Sequence, residues 1–106
     1  MVNAIDVTDL EAVLERVHAQ ARFENVRITE HAHQEMVEES ITLDEILEAI
    51  DTGQILENYP KHRRGACCLL GGLTDAGRPL HVVCTTARAV LIVITVYEPK
   101  PPKWQT

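Results

Sequence analysis

Lysine is missing from the first 60 residues of this 106-residue chain, which set 3 arginines against 14 acidic residues for a local charge of −11. The rest reverses the sign: 7 lysines and arginines meet 2 acids, giving +5, and the whole chain carries −6. That total argues against a general nucleic-acid coat. The basic second half could still meet phosphate locally if the fold turns it away from the acidic half; pairing within the chain is the competing use of the same charges. Cysteine is scarce and odd in number: Cys67, Cys68 and Cys84 cannot all pair inside one chain. Asp6, Asp9 and Glu11 interrupt the N-terminus where a signal peptide would be apolar, so a reducing, cytoplasmic setting is expected. Long apolar runs are absent as well. The longest, Ala89 to Val96 with Thr95 inside it, is far short of the roughly twenty residues that span a membrane.

Signature motifs are also lacking. There is no glycine-rich phosphate loop, no dinucleotide fingerprint and no helical histidine pair around a glutamate, so a classical cofactor enzyme is not expected and no cofactor is predicted. Cys67, Cys68, His81 and Cys84 fall on neighbouring strand-like segments. Adjacent positions, and positions three apart, face opposite sides of a strand; at most two of the four converge, and no metal is predicted. His31 and His33 diverge by roughly 200° on a helix.

What is present is an ordinary globular composition, 45% hydrophobic and 25% charged, in a chain long enough for one core and too short for two. A single domain over 1–106 is expected, with an N-terminal helix within 1–25. Thr8 and Glu11 have capping-box spacing ahead of a stripe through Leu10, Val13, Leu14, Val17 and Ala21, which predicts that helix. Arg27 and Ile28 suit a short extended piece. Thr29 is placed to cap a second helix, and Thr42 with Glu45 to box a third, which Gly53 would end in the left-handed conformation. After Gly53 the period becomes two. Strands are predicted over 54–59, 66–73, 78–85 and 90–97, with a turn at 74–77 and a last strand that is central or covered on both faces. The fold class is therefore α+β: three N-terminal helices on one face of a roughly four-stranded antiparallel sheet. Gly71 and Gly72 read as a bulge or a close backbone approach. The proline-rich end with Trp104 reads as extended.

Candidate chemistry gathers in the basic half. Arg78 and His81 are the candidate catalytic residues, an arginine to steady phosphate charge and an imidazole to move a proton. His62, Arg63, Arg64 and Tyr97 are the candidate substrate-binding residues. His31 and Glu35, four apart on the second helix, form a secondary site.

The stretch Ile28, His31, Ala32, Met36, Ile41 and Thr42, then Gly71, Gly77-Arg78-Pro79-Leu80-His81-Val82-Val83 and Ile94-Thr95-Val96-Tyr97-Glu98-Pro99 with Trp104, resembles the domain of unknown function 4258 family over about residues 26–104. That family is in turn similar, more remotely, to toxins of the RelE and ParE kind, compact proteins with helices on an antiparallel sheet. The resemblance implies a toxin-like fold, with messenger RNA or a topoisomerase as target and a small antitoxin-like protein as partner; fold analogy by itself transfers no activity. Two expectations follow. One is a non-catalytic binding or regulatory protein of toxin-like fold. The alternative is a metal-independent endoribonuclease toxin of a toxin-antitoxin pair, acting on RNA or at the ribosome. No membrane partner is expected, and the sequence specifies no oligomeric state.

Overall fold

The computed structural model describes residues 5–100; the expected tail containing Trp104 lies outside them. The first helix, α1 (Leu10–Arg22), begins one residue later than the sequence spacing suggests. Asp9 caps it by accepting the Ala12 N–H at 3.2 Å, because Thr8 is already held by Asp6 through both its N–H and its hydroxyl. Strand β1 (Val26–Ile28) follows, then α2 (Glu30–Glu39), whose cap Thr29 accepts the Ala32 N–H at 3.1 Å as expected. Ser40 ends α2 in the left-handed conformation, φ 55°. Helix α3 (Leu43–Asp51) starts on the predicted capping box: the Thr42 hydroxyl takes the Glu45 N–H at 3.1 Å, and the Glu45 carboxylate takes the Thr42 N–H at 3.0 Å. Together these bonds satisfy two otherwise free helix donors.

Gly53 does not adopt the expected left-handed turn; the glycines with positive φ are Gly65 and Gly77. Its role is spatial, since a Cβ there would lie 2.9 Å from the Ala49 carbonyl oxygen. Beyond it run β2 (Gln54–Tyr59), β3 (Cys67–Leu73), β4 (Pro79–Thr85) and β5 (Leu91–Tyr97). These four are the predicted meander, each within a residue of its expected start. The sheet has a fifth member, however. Its order is β1-β5-β4-β3-β2, and β1 runs parallel to β5, pairing Val26 with Leu91 and Ile28 with Val93. The sheet is therefore mixed rather than antiparallel. Three residues hold too little alternation to announce a strand, and their partner is more than sixty residues away.

That pairing makes β5 central, in keeping with its two apolar faces. Where β1 ends, α2 continues along the same edge of β5. The Glu35 carboxylate accepts the Val96 N–H and the Glu39 carboxylate accepts the Glu98 N–H, each at 3.1 Å, while the Thr29 hydroxyl donates to the Ile94 carbonyl. Helix side chains thus take over from a neighbouring strand, so the backbone donors of β5 are not left bare. The core lies between the helices and one sheet face: Val13 and Val17 from α1, Ile46 and Ile50 from α3, and Leu70, Leu80, Val82, Leu91, Val93 and Val96 from the sheet are all buried. Gly72 lets α3 sit directly on β3, because a Cβ at that position would come within 1.8 Å of the Ala49 carbonyl oxygen.

Candidate functional site

Strand alternation divides the basic half between two sides of the sheet. On β4, Leu80, Val82 and Cys84 are buried toward the helices, leaving His81 and Val83 half-buried, and Thr85 buried with its hydroxyl accepting the Ile92 N–H, on the side that no helix among the described residues covers. Across this open face the register aligns Gly71, His81 and Tyr97 in one row and Leu69, Val83 and Thr95 in the next. A bulge in β2 between Ile55 and Glu57 brings Leu56 over Gly71, where a Cβ would meet the Leu56 Cδ1 at 2.7 Å. Leu56, Gly71, Leu73, Pro79 and His81 line a shallow apolar groove of about 270 Å³. Leu56 and Leu73 are each 51% exposed.

His81 is half-buried at the edge of this groove. Its Nδ1 lies 3.2 Å from the Tyr97 hydroxyl, and the two rings meet edge to face with centroids 5.3 Å apart. The structure therefore brings together two predicted site residues, His81 and Tyr97.

Arg78 goes to the other side. Its Nε donates to the Glu98 carboxylate at 2.6 Å, one terminal nitrogen donates to the Ser40 carbonyl at 3.0 Å and approaches Glu45 at 3.4 Å, and the other donates to the Glu39 carbonyl at 2.7 Å. The side chain is one-quarter exposed. It caps the C-terminus of α2, where a cation suits the helix dipole, and ties that helix to α3 and to the end of β5. The bond to Glu98 raises the Arg78 pKa further. Glu45 is held below the usual carboxylate range, first by the Thr42 N–H and then by Arg78. Arg78 stands one residue before β4 and two before the buried Leu80, and its partners on α2 and α3 lie on the helical side, away from His81.

The remaining predicted cations lie at the far end of the β3–β4 hairpin. The chain turns after Tyr59: His62 N–H bonds to the Tyr59 carbonyl, Gly65 N–H to the His62 carbonyl, and Gly65 takes φ 117°. Inside this turn the Arg64 N–H donates to His62 Nδ1 at 3.2 Å, and the tautomer that accepts this bond carries its proton on Nε2. His62, Arg63, Arg64 and Gly65 enclose, with Thr85 and Ile94, a cleft of about 380 Å³. Among the described residues, Arg63, Arg64 and Arg88 form no ion pair. Thr85 pairs with Cys67 as His81 pairs with Gly71, so the cleft lies about 13 Å along the strand from His81 at roughly 3.3 Å per residue.

The secondary pair is local. His31 Nε2 lies 3.4 Å from the Glu35 carboxylate on an exposed helix side, and that carboxylate is the acceptor for β5 already described. Cys68 and Cys84 face each other across β3 and β4 with sulfurs 4.0 Å apart, both fully buried. Their mutual bond and then burial push the Cys84 thiol well up. Among the described residues there is no group of three or more His, Cys, Asp or Glu side chains able to hold a metal. The larger cleft between α1 and α3, about 500 Å³, presents Asp44, Glu48, Asp51 and Asp75; its charge repels an anionic ligand.

Sequence reasoning missed Thr85, Ile94 and Leu56. Thr85 was within reach, being four residues after His81 and hence on the same side of β4. The other two depend on bulges, at Leu56 in β2 and beside Val83 and Cys84 where β4 meets β5, which no residue type announced.

Residues 28–98, about two thirds of the chain, match the model of a family described as a domain of unknown function (DUF4258). No curated protein and no solved structure matches the chain, so the remoter likeness to RelE and ParE toxins gains no support from these comparisons.

Proposed function

The chain belongs to the DUF4258 family, and from this premise we propose that it is a non-catalytic binding protein whose open sheet face is its recognition surface. The observation that carries the reading is the engagement of Arg78. Its guanidinium is bonded to Glu98, Glu45 and two helix-end carbonyls, on the opposite side of the sheet from His81. A phosphate steadied by one could not be reached by the other, and general acid-base catalysis requires both within hydrogen-bond reach of the reacting group. The uncovered face supports binding instead. It carries an apolar groove beside His81 toward one end of the β3–β4 hairpin and a cationic turn at His62, Arg63 and Arg64 at the other, apolar surface and polar orienting groups of the kind that ligand sites use. A small antitoxin-like protein or RNA is the candidate partner in this reading.

The test is RNA integrity. Wild type and His81→Gln are incubated with a defined messenger RNA, free and in a translating extract, after circular dichroism shows both folded. The RNA is expected to stay intact with both proteins. Cleavage by wild type that falls about tenfold or more in H81Q would instead make the imidazole a general acid-base group and establish the endoribonuclease alternative.

A further inference from the structure

The geometry points to the cleft formed by His62, Arg63, Arg64, Thr85 and Ile94 as a site for a terminal phosphate, a phosphate monoester carried on a small ring or at the end of a nucleic-acid strand. This inference rests on the open face being a binding surface and names what part of that surface takes.

Four observations converge. First, Arg63 and Arg64 have no ion-pair partner among the described residues, and Arg88 reaches the same turn, its guanidinium 3.7 Å from where a Cβ of Gly65 would stand. Arg22 and Arg78, by contrast, are each neutralised by a carboxylate; Arg16 and Arg27 form no ion pair among the described residues either, but neither lines this cleft. Unpaired guanidiniums close together repel one another, and an anion between them removes that cost while using their forked donors. Second, the turn is built rather than loose. Two backbone bonds close it, and the Arg64 N–H is fixed on His62 Nδ1, which leaves Nε2 as the ring nitrogen free to donate. Third, the charge is of the right order. A phosphate monoester carries about −1.5 to −2 at neutral pH and three free oxygens, enough for two bidentate guanidiniums and an imidazole donor, whereas a diester within a chain carries −1 and two. Fourth, the floor is apolar. Ile94 is partly exposed and lines the same cleft, whose 380 Å³ falls within the range of small-ligand sites and leaves room for a ring against the isoleucine. The acidic helices lie on the other side of the sheet, so their charge does not fill the site.

The experiment uses the full chain, isotopically labelled, titrated with phenyl phosphate and followed by amide shifts and by phosphorus resonance. Saturable shifts are expected at residues 62–65 and 85, with affinity falling about tenfold or more in Arg63→Ala and Arg64→Ala, the loss of one charge-assisted bond. A short oligonucleotide with a 5′-phosphate is expected to shift the same residues. If it binds much more tightly than phenyl phosphate, the natural source is a strand end; if equally, a free monoester. The proposal is overturned by no saturable shift up to about 10 mM, by shifts confined to the groove of Leu56 and His81, by unchanged affinity in both arginine variants, or by equal binding of the 5′-hydroxyl oligonucleotide. Shifts at the His81 groove alone would leave the open face as a binding surface and remove only the phosphate site. Release of inorganic phosphate from phenyl phosphate would overturn the non-catalytic reading as well.

Discussion

Single residues in this protein acquire their roles from the side of the sheet they face. Arg78 looks catalytic in the sequence because it precedes a histidine in a basic segment, yet its bonds to Glu98, Glu45 and the end of α2 make it a brace. The signal against the pairing was already there in the spacing of three. Glu45 carries a pH consequence. Its pKa is lowered in the fold, first by the Thr42 N–H and then by Arg78, so its stabilisation is present above the unfolded carboxyl pKa and is lost as pH falls through the folded one. Unfolding free energy should therefore decline as pH drops below about 4.3. In Glu45→Gln, which keeps the shape but cannot ionise, urea unfolding across that window should show a shallower acid limb. An unchanged limb would show that the fold does not hold Glu45 ionised.

Elements were legible where a local rule governs them and illegible where a distant partner does. Thr29 capping α2 and the box of Thr42 with Glu45 were readable because each lies within four consecutive residues. The parallel pairing of β1, and the use of α2 carboxylates as acceptors for β5, join segments about sixty residues apart and leave no local trace. That second device can be tested. Removing the acceptor in Glu35→Ala strands the buried Val96 N–H and should cost about 1–3 kcal/mol with faster amide exchange at Val96, while Glu35→Gln keeps an acceptor oxygen and should recover most of it. Equal loss in both variants would mean that the charge, not the acceptor, matters there. The two strand glycines separate in the same way. A Cβ at Gly72 meets the Ala49 backbone at 1.8 Å, whereas at Gly71 its nearest neighbours are side chains, the Leu56 Cδ1 at 2.7 Å and the His81 ring at 3.5 Å. Gly72→Ala should destabilise by about 3 kcal/mol or more, and Gly71→Ala by less than about 1.5. Chemical denaturation of the two proteins compares them directly, and a similar cost for both would contradict the close seating of α3 on β3.

At the scale of the molecule, the division of charge along the chain becomes a division in space that is less simple than it looked. The acidic half builds the helices, but the basic half does not form one patch: Arg78 is spent on the helical side, and His62, Arg63 and Arg64 stand at the far end of the hairpin beside Thr85. One side of the sheet is therefore committed to holding the fold, and no helix among the described residues covers the other. The candidate site was legible as a set of residue types and not as an arrangement, because bulges in β2 and β5 decide which side chains share the open face. The most direct measurement is the unfolding free energy of Arg78→Ala beside that of His81→Gln and wild type. Loss of the brace should cost R78A about 1–3 kcal/mol, discounted for its partial exposure, while H81Q stays within about 0.5 of wild type. An R78A protein as stable as wild type would contradict the assignment of Arg78 to the fold and leave its guanidinium as a group free for chemistry.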